Sequence, residues 1–441
     1  MLRQIVLSGL KVRDIFTRLT SGPLFVSIAG GIAGNFLLRA SSSAAATILS
    51  LYLASIYVRH ASIRVTFLGT LAVAFYAAEL TGAPLFGSLS DRFGRKAFMW
   101  LGTLFGAAGT LVLTFPPVIL IFVVARVAQG LSAASSVPAV LGYLAAATAH
   151  STELRGRVMV AFEVGTILGF ALGFAAGGVL WDHFQVGGFY GIFTTYVLAM
   201  GAFALVGNSH QLQLSAVNWR FYGTLLRHGP ILSFVPAWLA VNGILGMWFT
   251  HLGFQMAIAD NPAQLLVGGF SGSAIGLVFA GISVVFVVGT AAWAFAFGRI
   301  PTTKIMAVSL AALAFFSVIL YGLNHSPEGA TLRIGILLAV GALALLVLSG
   351  FTPAALTYLA EISEHFPGHR GSMMGLYSVF LGVGQLLGGW LGGFFAQAWQ
   401  IDGLILATAL LGLSANACLL IITRAPAANR GEGLSGTAAP L

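Results

Sequence analysis

The sequence predicts an all-α membrane protein of twelve transmembrane helices, arranged as two parallel six-helix bundles. Three observations lead there: a composition with almost no charge, apolar runs of membrane-spanning length broken by short basic connections, and a gap-free internal repeat. Of the 441 residues, 58% are apolar and 7% are charged. A soluble domain carries about 25% charge, so water is not the main solvent of this chain. Its 56 glycines fit helices that approach closely in lipid. A barrel would instead show weak ten-residue alternation.

Apolar windows long enough to cross a hydrocarbon core of about 30 Å place spans near 30–57, 65–86, 97–115, 118–147, 158–181, 187–207, 231–256, 272–297, 304–323, 334–359, 372–398 and 403–423. The basic residues between them alternate in density. Arg59 and Arg64 separate the first two spans; Arg92, Arg95 and Lys96 separate the second and third. Arg155 and Arg157 lie between the fourth and fifth, Arg220 and Arg227 between the sixth and seventh, Arg299 and Lys304 between the eighth and ninth. Arg333 precedes the tenth, Arg370 the eleventh, and Arg424 follows the twelfth. With the amino terminus inside, only Arg59, Arg64 and Arg333 fall outside. This positive-inside bias predicts a multi-pass protein of a bacterial inner (plasma) membrane with both termini in the cytoplasm. Scattered cations of this kind reflect topology and argue against nucleic-acid binding.

The expected organisation is an amphipathic cytoplasmic segment over 1–23, a first bundle over 24–207, a central cytoplasmic linker over 208–230, a second bundle over 231–424 and a disordered tail over 425–441. Residues 137–157 align without gaps on 352–372. Pro138 meets Pro353, Tyr143 meets Tyr358, and Arg155-Gly156 meets Arg370-Gly371; at the same offset Gly169, Gly173, Gly177 and Gly178 meet Gly384, Gly388, Gly392 and Gly393. The fourth and fifth spans thus repeat as the tenth and eleventh, which makes the halves parallel copies about an axis along the membrane normal.

Four charges crowd into GSLSDRFGRK at 87–96. The turn must be tight, so Gly94 supplies unusual dihedrals, and Gly87 permits close helix approach. Arg92, Arg95 and Lys96 can fix orientation and meet lipid phosphate, leaving Asp91 as an acid in a basic turn. The stretch resembles the signature between helices 2 and 3 of the major facilitator superfamily. That resemblance implies that Asp91 latches the start of the eleventh span, near Ser372 and Met373, when the cavity opens outward. The alternative is a positive-inside anchor with no switching role. The second-half counterpart, AFAFGRIPTTK at 294–304, has Phe295 where the acid would stand, consistent with a one-sided latch. FVVARVAQGLSAA at 122–134 resembles the family's helix 4 motif, centred on Arg126. GFALGFAAGG at 169–178 resembles the helix 5 motif of the family's antiporters, with Phe174 in place of proline; Gly169, Gly173, Gly177 and Gly178 form a ridge for close packing against the other half.

Arg126 lies about 14 Å from the outer end of its span, and Glu79, Glu163 and Arg39 about 9 to 12 Å from the inner surface. Charges at such depth are costly unless they are paired or face a cavity. Glu79 and Glu163, tuned by Arg39 and Arg126, are candidates to load and release protons as access alternates; static ion pairing is the alternative. Asn35, Gln129, Asn242 and Gln385 either line the cavity or make interhelical hydrogen bonds. His251, near the outer end of the seventh span, reads as an interfacial or capping residue. His365 and His369 have helical metal-ligand spacing, but Pro367 and Gly368 break the helix that spacing requires. No metal or other cofactor is expected.

The resemblance implies a transporter working by alternating access, with proton-coupled export of small amphipathic or lipophilic compounds favoured by the glycine ridge and by a second half poor in intramembrane charge. A proton-linked importer or facilitator of a neutral metabolite such as a sugar is the alternative, and a non-transporting sensor or membrane-embedded enzyme the reading of another class. The chain lacks a Gly-x-Ser-x-Gly elbow, a His-Glu-x-x-His helix and a Walker loop, which argues against an enzyme or an ATP-driven pump. The expected partners are a small-molecule substrate, protons and lipid, with the chain a monomer.

Overall fold

A computed structural model describes residues 22–60, 64–148, 152–207, 229–297, 299–363 and 370–424. The segment expected over 1–23, the linker over 208–230 and the tail over 425–441 lie wholly or almost wholly outside them, as do His365 and His369. Among the described residues the regular structure is helical, without a strand. The helices are α1 (Pro23–His60), α2 (Thr66–Phe93), α3 (Arg95–Val112), α4 (Ile119–Ala147), α5 (Thr152–Phe184), α6 (Gly188–Ala204), α7 (Gly229–Ala257), α8 (Gly272–Trp293), α9 (Thr302–Asn324), α10 (Thr331–Leu348), α11 (Phe351–Ser363) and α12 (Arg370–Arg424). Eight stretches among these residues are long and apolar enough to cross a membrane, some of them holding two helices, such as Arg157–Ala204 with α5 and α6.

One local departure from the expected spans has an identifiable cause. The tenth span is broken into α10 and α11 at Ser349 and Gly350, just before Pro353, which has no N–H to offer the carbonyl four residues back. The break is useful for packing: the Trp293 indole donates to Val347 O at 3.0 Å, and a Cβ on Gly350 would lie 2.5 Å from the indole nitrogen. Pro138, its repeat partner, lies inside an unbroken α4. The eleventh and twelfth spans, numbered together as α12, are two helices that meet at a kink at Trp399 (φ −138°, ψ 16°) and Gln400 (φ 53°, ψ −128°), where the sequence places their boundary.

The chain forms two compact units. Unit 1 comprises Met1–Leu49, Ala77–Ser215 and Gly272–Ala280; unit 2 comprises Ser50–Tyr76, Ala216–Ser271 and Gly281–Leu441. Within unit 1, α3 lies on α4, where Ser135 Oγ donates to Phe98 O at 2.7 Å and a Cβ on Gly109 would come 2.9 Å from Ala125 O. Within unit 2, α7 and α12 run in backbone contact: Gly388 abuts Gly243, and Gly246 abuts Gln385. His251 is fully buried there, its Nε2 2.8 Å from Gly389 O. It ties α7 to α12, which corrects its reading as an interfacial or capping residue. Residues 50–76 complete this unit: Tyr57 meets Phe254 edge-on at 5.6 Å, and a Cβ on Gly69 would lie 2.9 Å from Gly389 O. The apolar centre of unit 2 is Trp238, fully buried and stacked 6.0 Å from both Phe234 and Phe351.

Lipid is as apolar as leucine, so these helices are held by dispersion at close range, and a side chain that separates two backbones forfeits that contact. On α5, Gly173 abuts Ser43 Oγ and Ala40 O of α1, whereas Gly201 on α6 has open space, with no atom within 4 Å of where a methyl group would stand. Gly173→Val is therefore expected to cost at least about 1–3 kcal/mol through overpacking, and Gly201→Ala to be neutral. Thermal melts of the detergent-purified variants check the contrast.

Candidate functional site

The ionisable residues expected deep in the first half come together in unit 1. Arg39 of α1 is within electrostatic range of Glu79 of α2, Glu163 of α5 and Tyr196 of α6, and Glu79 is also within range of Arg126 of α4. Arg126 Nη1 donates to Gln129 Oε1, one turn on, at 2.8 Å. The Arg39 guanidinium carbon sits 5.3 Å from the Phe170 ring centroid, while its buried Nε has no hydrogen-bond partner. Arg39, Glu79 and Arg126 are half-buried and Glu163 is exposed. Two cations and two carboxylates on four helices thus form one electrostatic cluster. Tyr196, 1% exposed and hydrogen-bonded to Ser132, belongs to it as well. Nothing in the sequence around Tyr196 marks it, because its neighbours in the cluster are remote in the chain.

The basic turn is an anchor for helix ends. Gly94 takes φ 100° between α2 and α3, a conformation costly for a residue with a Cβ. Arg95 donates through Nε and Nη2 to Asp91 Oδ1 at 3.0 and 2.8 Å and through Nη1 to Gly142 O of α4 at 2.6 Å. Lys96 Nζ donates at 2.7 Å to Ala204 O, one of the carbonyls that the end of α6 leaves unpaired. Two of the three cations expected to meet lipid phosphate are thus bonded to backbone carbonyls of unit 1. Arg92 is exposed and lies over the Phe93 ring at 5.3 Å. The side chains of Ser372 and Met373, the expected partners of Asp91, lie outside the described residues.

The glycine ridge divides its contacts. A Cβ on Gly169 would lie 2.6 Å from Phe36 O, and one on Gly177 2.8 Å from Ala44 O, so with Gly173 these positions seat α5 on α1 within the same half. Of the four, Gly178 abuts Gly272, at the start of α8. The expectation that the whole ridge packs against the second half is corrected accordingly. Phe174, where the motif has proline, lies on an α5 without a break and stacks on Phe279 of α8 at 4.8 Å. Four positions beyond Gly178, Asp182 accepts from Gly272 N at 2.8 Å, Ser273 N at 2.7 Å and Ser273 Oγ at 2.5 Å. It is the cap of a helix that begins 90 residues later in the chain, satisfying the first N–H groups of α8 and meeting the positive end of its dipole. Sequence reading looks for a cap just before a helix and so passes over Asp182.

Of the four uncharged candidates, Asn35 is bonded across helices and Asn242 and Gln129 are bonded within their own. Asn35, 1% exposed, donates to Thr166 Oγ1 at 2.8 Å, tying α1 to α5. Asn242, 2% exposed, turns back onto Trp238 O of its own helix at 2.9 Å. Gln129, also buried, joins the charge cluster through Arg126, and its Nε2 has no partner. Gln385 is half-buried at the crossing of α12 with Gly246. No group of three or more His, Cys, Asp or Glu side chains suited to a metal occurs among the described residues.

Comparison with known proteins bears on the family and the fold. A family model described as Major Facilitator Superfamily matches residues 32–268 and 244–441. A protein of Methanocaldococcus jannaschii named as an MFS-type transporter is 24% identical over 392 residues, covering 83% of this chain and 90% of that one. Multidrug resistance protein 2 of Bacillus subtilis is 34% identical over 113 residues, 26% of this chain and 28% of that protein. Among solved structures, the nucleoside transporter NupG matches with TM-score 0.71 at 12% identity, covering 90% of this chain and 99% of that one. A D-xylose–proton symporter matches with TM-score 0.66 at 14% identity, covering 91% and 98%. At such identities the structures share the fold alone.

The cluster makes its members interdependent. Glu79→Ala leaves Arg39 and Arg126 without that counter-charge, so it is expected to destabilise more in the wild-type background than beside Arg39→Met. A double-mutant cycle on detergent-purified protein should give a coupling of about 0.5–3 kcal/mol, and additive losses would show that the pair does not interact.

Proposed function

The chain belongs to the major facilitator superfamily, and from that premise we propose that it is a proton-coupled secondary transporter that exports small amphipathic or lipophilic compounds by alternating access. The observation that carries this reading is the cluster of Arg39, Glu79, Arg126 and Glu163 on four helices of unit 1. A half-buried carboxylate between two guanidinium groups has two stable arrangements: ionised and paired, or protonated with the arginines released to other partners. A proton bound at Glu79 or Glu163 therefore changes which helices are tied together, which is what coupling a proton to a conformational change requires. The outward direction is supported by the resemblance of the glycine-rich α5 to the antiporter motif and by the weak charge of the second half, which offers an ionic solute no counter-ion.

In this reading residues 24–207 and 231–424 are the two bundles that rock about a central site, joined by a linker over 208–230, with both termini in the cytoplasm of a bacterial cell. Two aspartates govern the ends. Asp91, held by Arg95, is the inner latch and exchanges partners as the cavity turns outward. Asp182, capping α8, is an outer clasp that must release before the outer ends of α5 and α8 separate. A carboxylate at a helix amino terminus is worth up to about 2 kcal/mol, enough to bias a two-state equilibrium by more than about tenfold without locking it.

Everted vesicles under an imposed pH gradient, with ethidium as probe, test the reading. The wild-type chain is expected to accumulate the probe in the lumen when the lumen is acidic. Glu79→Gln and Glu163→Gln are expected to lose the response to the gradient while retaining part of the exchange, and a full response in both variants would remove the coupling assignment. Asp91→Asn is expected to slow transport with normal membrane insertion. For the outer clasp, Asp182→Asn should raise labelling of Phe279→Cys by an impermeant maleimide in a Cys418→Ser background. Unchanged labelling would show that the clasp does not hold the outer ends together.

A further inference from the structure

Between α7 and α8, residues 258–271 cross the end of unit 2 as a strap with no helix or strand of its own. Both ends of the strap are tied to α7: Ile258 N donates to Phe254 O at 3.2 Å, and Gly268 N and Phe270 N return to Gln255 O at 2.9 Å and Met256 O at 3.2 Å. Gly268 and Gly269, at φ 80° and 71°, permit that return. Between these ties the strap is fastened to the end of α9 and to α12 beyond its kink. We propose that His325 and Asp402 make this fastening proton-sensitive, tight while the histidine is protonated and loosened when it is neutral.

Asn324, fully buried at the last position of α9, holds the strap. Its backbone carbonyl accepts from Leu265 N at 2.6 Å and its side-chain Oδ1 from Leu266 N at 3.0 Å. Oδ1 faces the strap because Nδ2 is directed elsewhere, to Gln264 Oε1 at 3.1 Å and Asp402 Oδ1 at 2.9 Å. Gln264, itself on the strap, accepts through the same Oε1 from Asp402 N at 3.2 Å and donates through Nε2 to Trp399 O at 3.2 Å. The Asp402 carboxylate therefore sets the orientation of the amide that holds Leu266. Its other partner is His325, whose Nε2 lies 3.0 and 3.1 Å from its two oxygens.

The side chains of His325 and Asp402 are 32% and 26% exposed, so solvent protons reach the pair. A histidine changes charge between about pH 5 and 8. Protonated, it gives the carboxylate a charge-assisted hydrogen bond, about twice as strong as one from a neutral ring. The imidazole also lies 4.4 Å from the ring of Tyr321, one turn earlier on α9. The other ionisable groups on the surrounding elements are Asp260, which lies against Gly269, the exposed Glu328 and Arg333, the latter with Nη2 3.4 Å from Gly322 O, and His251, turned to Gly389 O. Of these histidines, His325 is the one that meets a carboxylate. The strap leads directly into Gly272, where α8 begins. In the transport reading above, on which this consequence alone rests, the strap lies at the outer face, and an acidic exterior slows the opening of that end.

The test follows amide hydrogen exchange of residues 258–271 by mass spectrometry in the full chain purified in detergent. Labelling is done at about pH 5.5 and about pH 8, on either side of the histidine range, with times scaled for intrinsic exchange. The N–H groups of Leu265, Leu266, Val267 and Gly268 are all hydrogen-bonded, so they exchange when the strap opens. The opening constant of the wild-type strap is expected to rise about two- to tenfold from the lower pH to the higher, with residues 234–250 of α7 unchanged. His325→Gln, which keeps a neutral donor, is expected to exchange at both pH values as the wild-type chain does at the higher one. Asp402→Asn should abolish the response as well and serves where His325→Gln does not fold. A merely structural pair would lower protection in the variants and leave the pH response in place. Exchange independent of pH in the wild-type strap, or a response that survives in either folded variant, would overturn the proposal. Neither result involves transport, so the transport reading stands or falls separately.

Discussion

The structure depends on helices that approach until their backbones touch. In lipid there is no water to drive apolar faces together, so attraction between helices comes from dispersion at short range and from polar groups that find partners across the interface. The glycines of α5 against α1, of α7 against α12 and of α3 against α4 are the places where that approach occurs. Each removes a side chain from a crossing and lets carbonyls lie where a Cβ would otherwise stand. Trp238, stacked between Phe234 of its own helix and Phe351 of α11, shows the complementary device: a large, fully buried side chain filling the space between helices.

Close packing of this kind makes every retained charge conspicuous, and two groups of the described charges stand out. Those at helix ends neutralise the ends: Lys96 meets the last carbonyl of α6, Arg95 reaches a carbonyl of α4, and Asp182 collects the first N–H groups of α8. These bonds substitute for the intrahelical partners that helix termini lack. The charges deep in unit 1 do something else. Arg39, Glu79, Arg126 and Glu163 come from four helices, so their mutual attraction is realised only in particular arrangements of those helices.

Separation along the chain decides what is legible in the sequence. The tight turn at 87–96, the helical class, the repeat and the convergence of four ionisable groups can all be read, because each rests on local pattern or on the cost of charge in lipid. Asp182 cannot be read as a cap, since Gly272 and Ser273 are remote in sequence. Tyr196 and His251 are opaque for the same reason: their partners, Ser132 and Gly389, lie on other helices. The ridge on α5 is plain in the sequence, yet three of its four glycines serve α1. A glycine pattern announces a close neighbour without naming it. Asn35 and Asn242 carry the same ambiguity, for a lone amide in a span reads equally as cavity wall or as tie; burial makes Asn35 a tie between helices and turns Asn242 onto its own.

The two copies of the repeat have diverged where function would be expected to distinguish them. Pro138 lies inside a continuous α4, while Pro353 follows a break that Trp293 fills. The first half keeps Asp91 beside Arg95, and the second has Phe295, largely exposed, at the equivalent position. Ionisable groups are concentrated in the spans of one copy. A duplicated scaffold need only rock symmetrically to alternate access. Coupling that motion to a proton, as proposed above, requires asymmetry, since a titrating group with an identical twin would pull both halves alike. The loss of the acid at Phe295 and the presence of Glu79 and Glu163 without charged counterparts in the second half supply an asymmetry of that kind.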